Sequence, residues 1–132
     1  MDPLEIQGEP PSLAGKTCQA LVCYEHWHAG TLVEPANVIF IRAGGEWHKL
    51  FFDSGIIFWK SGVEPDASVD APELTSMFRL IDLGHRFQLI GRHITSCDAA
   101  ATPKGAKVTV TLDGGRSVVF ESVDDVTSYV AA

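Results

Sequence analysis

His26 and His28 stand two residues apart in the run Cys23-Tyr24-Glu25-His26-Trp27-His28. On a β-strand, side chains two apart project from the same face, and a pair of imidazoles so placed is how many β-built metal sites begin. A working site needs a further ligand from elsewhere. His48 is the first candidate, with His85, His93 and Cys97 behind it, and zinc or iron are the metals such donors suit. A single H-x-H pair is a low-specificity signal, however, and on a regular strand Cys23 points away from both histidines. Structural or surface histidines with no cofactor are the favoured reading, and a metal centre on His26, His28 and His48 is the alternative.

The neighbouring sequence is rich in aromatic residues. Trp27, Trp47 and Trp59 are joined by Phe51, Phe52 and Phe58. Tryptophan buries a large area at small entropic cost and is enriched among interface anchors, although core packing is the competing fate for each ring. Beyond them, Ser61–Thr75 breaks the apolar pattern with two prolines and the carboxylates Glu64, Asp66, Asp70 and Glu73. A long surface loop of that kind is a candidate for function. The three tryptophans and these four acids form the expected binding surface.

Covalent catalysis finds little support. No G-x-S-x-G elbow occurs, and Ser54 in Asp53-Ser54-Gly55 reads as a turn residue. Gly44-Gly45 and Gly114-Gly115 lie between strands, without the helix N-terminus that phosphate binding exploits.

Seventeen acidic against ten basic residues leave a net charge of −7. That field repels phosphate backbones, which disfavours nucleic acid, and it speeds association with a basic protein. Three cysteines, an odd and low number, argue against a disulfide framework. The acidic N-terminal residues do not resemble a secretory signal, and no apolar run approaches the roughly 20 residues of a spanning helix. A soluble cytoplasmic protein with no membrane association is expected.

The elements that must position these residues read as follows. Residues 1–15 form a flexible arm, and 16–132 a single globular domain. A strand over 17–28 precedes a meander of Asn37–Arg42, Glu46–Phe52 and Ile56–Lys60, joined by short glycine-bearing links. Strands at Met77–Leu83 and Arg86–Ser96 follow, then a loop at 99–106, and then a hairpin, Lys107–Leu112 with Arg116–Glu121. Ser122 as N-cap, Asp124 and Asp125 in the first turn, and Val123, Val126 and Val130 at helical spacing predict a short C-terminal helix. The expected fold is therefore mainly β in the α+β class. It has about seven mostly antiparallel strands in a bent sheet or partly closed barrel, with that helix packed on it.

The expected function is a small acidic protein-binding module that engages a basic partner, as an immunity-type toxin inhibitor does. A small β-barrel metal-dependent enzyme or ligand binder using the histidine and aromatic cleft is the alternative, and self-association through exposed strands a third class. The balance leans away from an enzyme.

Overall fold

The computed structural model describes residues 4–66, 69–71 and 75–132. Eleven strands alternate in direction along nearly the whole chain. They are β1 (Ile6–Gln7), β2 (Cys18–His28), β3 (Thr31–Ala43), β4 (Glu46–Asp53), β5 (Ile56–Ser61), β6 (Val69–Ala71), β7 (Ser76–Asp82), β8 (Ile94–Thr102), β9 (Gly105–Leu112), β10 (Arg116–Val123) and β11 (Val126–Ala131). Among the described residues the helical structure is a four-residue turn, α1 (Leu83–Arg86), capped by Asp82, whose side chain accepts the His85 N–H, and a 3-10 turn at Asp113–Gly115.

The strands form two sheets. The larger has the order β1-β5-β4-β3-β2-β7-β6, seven strands, or six if the two-residue β1 is left out. The smaller is the meander β11-β10-β9-β8. All pairings are antiparallel except that of β1 with β5. One core joins the sheets: Leu21, Cys23, Ile39, Ile41, Leu50, Ile57 and Trp59 from the larger face Val108, Val110, Leu112, Val118 and Phe120 from the smaller. Period-two alternation explains the division, because every second residue of these strands turns inward. The N-terminal segment adds Leu13 to this core, and Gly8 crosses β5 so closely that a Cβ there would stand 2.1 Å from the Trp59 carbonyl oxygen.

The expected architecture is corrected in three respects. The described residues form eleven strands rather than about seven, two sheets replace the bent sheet or partly closed barrel, and the C-terminal helix is not present. Strand accounts for 66% of the structure and helical turns for 6%, so the α component of the expected class is missing. The helical reading failed at Asp124 and Asp125. Their acidic side chains suit a helix N-terminus, but their φ angles are 50° and 64°. Positive φ at both central residues is the mark of a type I′ turn, whose twist matches that of the strands it joins. Val123, Val126 and Val130 accordingly face outward, while Thr127, Tyr129 and Ala131 turn toward the core. Polar atoms on two of those three inward residues hid the alternation. Residues 99–106 are likewise a tight hairpin between β8 and β9 rather than a loop.

Ala29-Gly30, Gly44-Gly45 and Ser54-Gly55 repeat the same turn geometry in the larger sheet. From β5 the chain must then cross to the far edge of that sheet, where β6 and β7 lie. The start of the crossing is held by the Gly62 N–H on the Trp47 carbonyl, 2.8 Å, and Asp66 is held by the Tyr24 hydroxyl, which donates to its carbonyl at 2.6 Å. As far as Asp66, the segment thus passes over the sheet's outer face. Phe40 lies on that face yet is only 4% exposed.

The turn at Asp124-Asp125 yields a stability test. Asp125 tolerates positive φ and accepts the Ser54 N–H through Oδ1 at 2.8 Å. Asp125→Ala loses both properties and should cost about 2 kcal/mol in urea unfolding, whereas Asp125→Gly keeps the backbone freedom and should cost less than about 1 kcal/mol. Equal losses would show that the turn conformation is not under strain.

Candidate functional site

The three tryptophans do not share a surface. Trp59 is buried in the core, opposite Leu50. Trp27 pairs with Leu32 at one end of β3 and Trp47 with Arg42 at the other, roughly 30 Å apart at strand rise. Trp27 has its own local partners: Nε1 donates to Glu25 Oε1 at 3.1 Å, and the Arg79 guanidinium lies 5.6 Å from its ring centre.

The histidines are separated in the same way. His26 lies on the outer face of the larger sheet, stacked on Phe78 at 4.6 Å, and His28 Nδ1 lies 3.3 Å from Ser76 Oγ. His48 faces inward, 3% exposed, toward the opposite end of β3. The structure therefore does not bring His48 to His26 and His28. Among the described residues no group of three or more His, Cys, Asp or Glu side chains could hold a metal ion.

Of the four expected loop acids, Glu64 and Asp66 are exposed on the segment that crosses the outer face. The side chain of Asp70 and the whole of Glu73 lie outside the described residues.

His48 is the most constrained polar side chain. Its Nδ1 is 2.7 Å from Ser61 Oγ, and its Nε2 is buried without a partner. Burial lowers its pKa, with Glu46 pulling it up and Lys16 pushing it down. The pair superficially suits a nucleophile and base, yet no carboxylate orients the ring through Nε2, and the adjacent Gly62 N–H is already committed to Trp47. The arrangement ties β4 to β5. The thiols are equally withdrawn: burial raises Cys18 and Cys97 to about 11 and Cys23 to about 12, far from the thiolate range that nucleophilic attack requires.

A different site emerges where turns from both sheets converge. A cleft of about 1090 Å³ opens between the β4–β5, β8–β9 and β10–β11 turns and the N-terminal segment. Glu5, Ser54, Thr102, Lys104, Asp124 and Asp125 contribute to its lining. Its walls are locked by the Ser54 N–H on Asp125 and by the Asp124 N–H on the Lys104 carbonyl, 3.1 Å. Lys104 Nζ lies 3.8 Å from Asp124 Oδ2, but both side chains are well exposed, so this pair neutralises the cleft only weakly. The Thr102 hydroxyl is buried and has no hydrogen-bond partner. None of these residues was singled out as a site by motif. The available signal was turn parity: in a meander, alternate turns lie at the same end, so the turns at 54–55, 103–104 and 124–125 had the chance to meet.

The fold and cleft define a two-sheet, antiparallel β protein with an acidic mouth formed by its turns. No protein-family profile matches the chain, and no curated protein sequence or solved structure matches it either.

Buried neutral His48 makes stability pH-dependent. Its folded pKa is depressed, so below the ordinary histidine value of about 6.5 the unfolded chain binds more protons than the folded one. Its contribution is fully present above that pH and is lost as pH falls beneath it. Thermal melts of wild type and His48→Gln between pH 7 and pH 5 should show a shallower slope in the variant. Parallel slopes would remove His48 from the explanation.

Proposed function

We propose that this protein is a binding module that captures a basic segment of a partner protein in the cleft formed by its turns. The single observation that carries this reading is the chemistry of the cleft: Glu5, Asp124 and Asp125 line it against one lysine. A cationic side chain entering there meets carboxylates whose backbones are already fixed, so little ordering cost is added on binding. The unpartnered Thr102 hydroxyl supports a ligand with hydrogen-bonding capacity. The net charge of −7 steers a basic partner toward the protein from beyond contact distance.

An immunity-type inhibitor of a cationic toxin is one form such a module takes, and charge and size support it. The three free thiols support a cytoplasmic location. Among the described residues, no helix is long and apolar enough to cross a membrane. The metal-dependent reading lacks the convergence of His26, His28 and His48 that it needs.

A fluorescein-labelled oligoarginine peptide tests the reading directly. Binding should weaken as salt rises, and Glu5→Gln with Asp124→Asn should lower affinity by about tenfold. Asparagine tolerates positive φ, so the second change spares the turn. Unchanged affinity in the double variant, or amide shifts that map away from the three turns, would overturn the proposal.

A further inference from the structure

The outer face of the larger sheet has the opposite character to the cleft. On β3, β4 and β5 the residues that turn away from the core include Arg42, Trp47, Lys49, Phe51, Phe58 and Lys60. Their cross-strand pairs are Arg42 with Trp47, Lys49 with Lys60, and Phe51 with Phe58. None of the six belongs to the core or packs against it. In a protein of net charge −7, three cations are thus gathered on one face.

Among the described residues these cations lack carboxylate partners: none comes within ion-pair distance of Arg42, Lys49 or Lys60. Glu46 and Asp53 at the two ends of β4, and Glu64 and Asp66 on the crossing segment, close no ion pair with them. Lys49 and Lys60 are also directly opposed on adjacent strands, an arrangement that costs stability because like charges repel across a sheet. A partner that neutralised both would relieve it.

The aromatic rings narrow the chemistry of that partner. Phe51 and Phe58 stack at 4.7 Å with 2° between their planes, and the Lys49 ammonium lies 5.4 Å from the Phe51 ring centre. Strand side chains stand roughly perpendicular to the sheet, so two rings pressed face to face direct their edges outward. The edge is the electropositive part of an aromatic ring. A nucleobase would need an open ring face on which to stack; the stack takes one face of each ring and the Lys49 ammonium lies over Phe51, which leaves only the outer face of Phe58. A carboxylate meets ammonium, guanidinium and ring edges, all of matching sign. The long-range field of the chain also opposes a polyphosphate more than it opposes a short run of carboxylates.

We propose that the outer face of β4 and β5 beside the crossing residues 62–66, centred on Lys49, Phe51, Phe58 and Lys60, docks an acidic peptide segment of a protein partner. This surface shares no lining residue with the acidic cleft, and its occupant carries the opposite charge. The module would then join a basic and an acidic partner through two different surfaces.

The test uses the full chain and a fluorescein-labelled oligoglutamate peptide, followed by anisotropy and by backbone amide shifts. Binding should be salt-sensitive, and the shifts should centre on Lys49, Phe51, Phe58 and Lys60. Lys60→Glu should weaken binding by about tenfold. It also replaces the opposed lysines by an attractive pair, so its melting temperature should stay level or rise, which separates lost binding from lost folding. Asp124→Asn should leave oligoglutamate binding unchanged, so this proposal and that of the cleft can fail independently. Three outcomes would overturn the inference: no binding to wild type, equal binding to Lys60→Glu, or tighter binding of single-stranded oligo(dT) at the same residues. Gel filtration showing an oligomer that Lys60→Glu dissolves would also overturn it, by showing that a second copy holds the face.

Discussion

Strand β3 has to satisfy two neighbours in one sheet and a third in the other, and the rest of the structure follows from how it does so. Between the pairs Tyr24–Val38 and His26–Glu34 it carries two residues more than β2. Pro35 falls within this bulge, where a missing N–H breaks no ladder bond. The bulge re-aims the beginning of β3 toward β11. There the Glu34 carboxylate accepts the Thr127 N–H at 2.7 Å through one oxygen and the Asn37 side-chain amide at 2.7 Å through the other. A charged acceptor shared in this way is stronger than a neutral hydrogen bond, and it also blunts the free edge of β11. Beyond the bulge, β3 returns to strict alternation and supplies Ile39 and Ile41 to the core and Phe40 and Arg42 to the opposite face.

The two candidate surfaces are products of the same geometry. Inward alternation exhausts most of the large aliphatic residues of β3, β4 and β5, leaving lysines and aromatic rings for the outer face. The turns cannot be apolar, because their backbones meet water and several require positive φ, so they draw on Gly, Ser and Asp. When turns from both sheets end at one place, carboxylates collect there. Charge separation across the molecule therefore needs no dedicated element, since the strand period and the turn chemistry together create it.

Much of the fold was legible where both rules acted together. The runs around Gly44-Gly45, Ser54-Gly55 and Gly114-Gly115 combine apolar alternation with glycine turns, and all three hairpins are present. Legibility failed where one rule was masked. Glu34 and Pro35 disguised the part of β3 before Asn37 as a connection, and Ala99, Ala100 and Ala101 gave β8 little β-branched character. Asp124 and Asp125 satisfied two incompatible patterns, a helix start and a type I′ turn, and only pairing with β10 decides between them. The site was less legible still. Ser54 and Asp125 are 71 residues apart in sequence yet form one wall of the cleft. Nothing in the spacing of the tryptophans or histidines discloses that Trp59 and His48 turn inward while His26 turns outward.

The position of β2 between β3 and β7 has a consequence for how the chain reaches this state. Its pairing with β3 closes through a two-residue turn, but its other edge waits for Ser76–Asp82, about fifty residues further along. As the polypeptide emerges during synthesis, the meander from β2 to β5 can assemble first, with Val22 and Tyr24 lying along an open strand edge. Until β7 arrives, that edge is a template for any passing strand. Escape from aggregation thus depends on how quickly the crossing segment delivers β7, which ties the conformational entropy of residues 62–75 to the yield of folded protein.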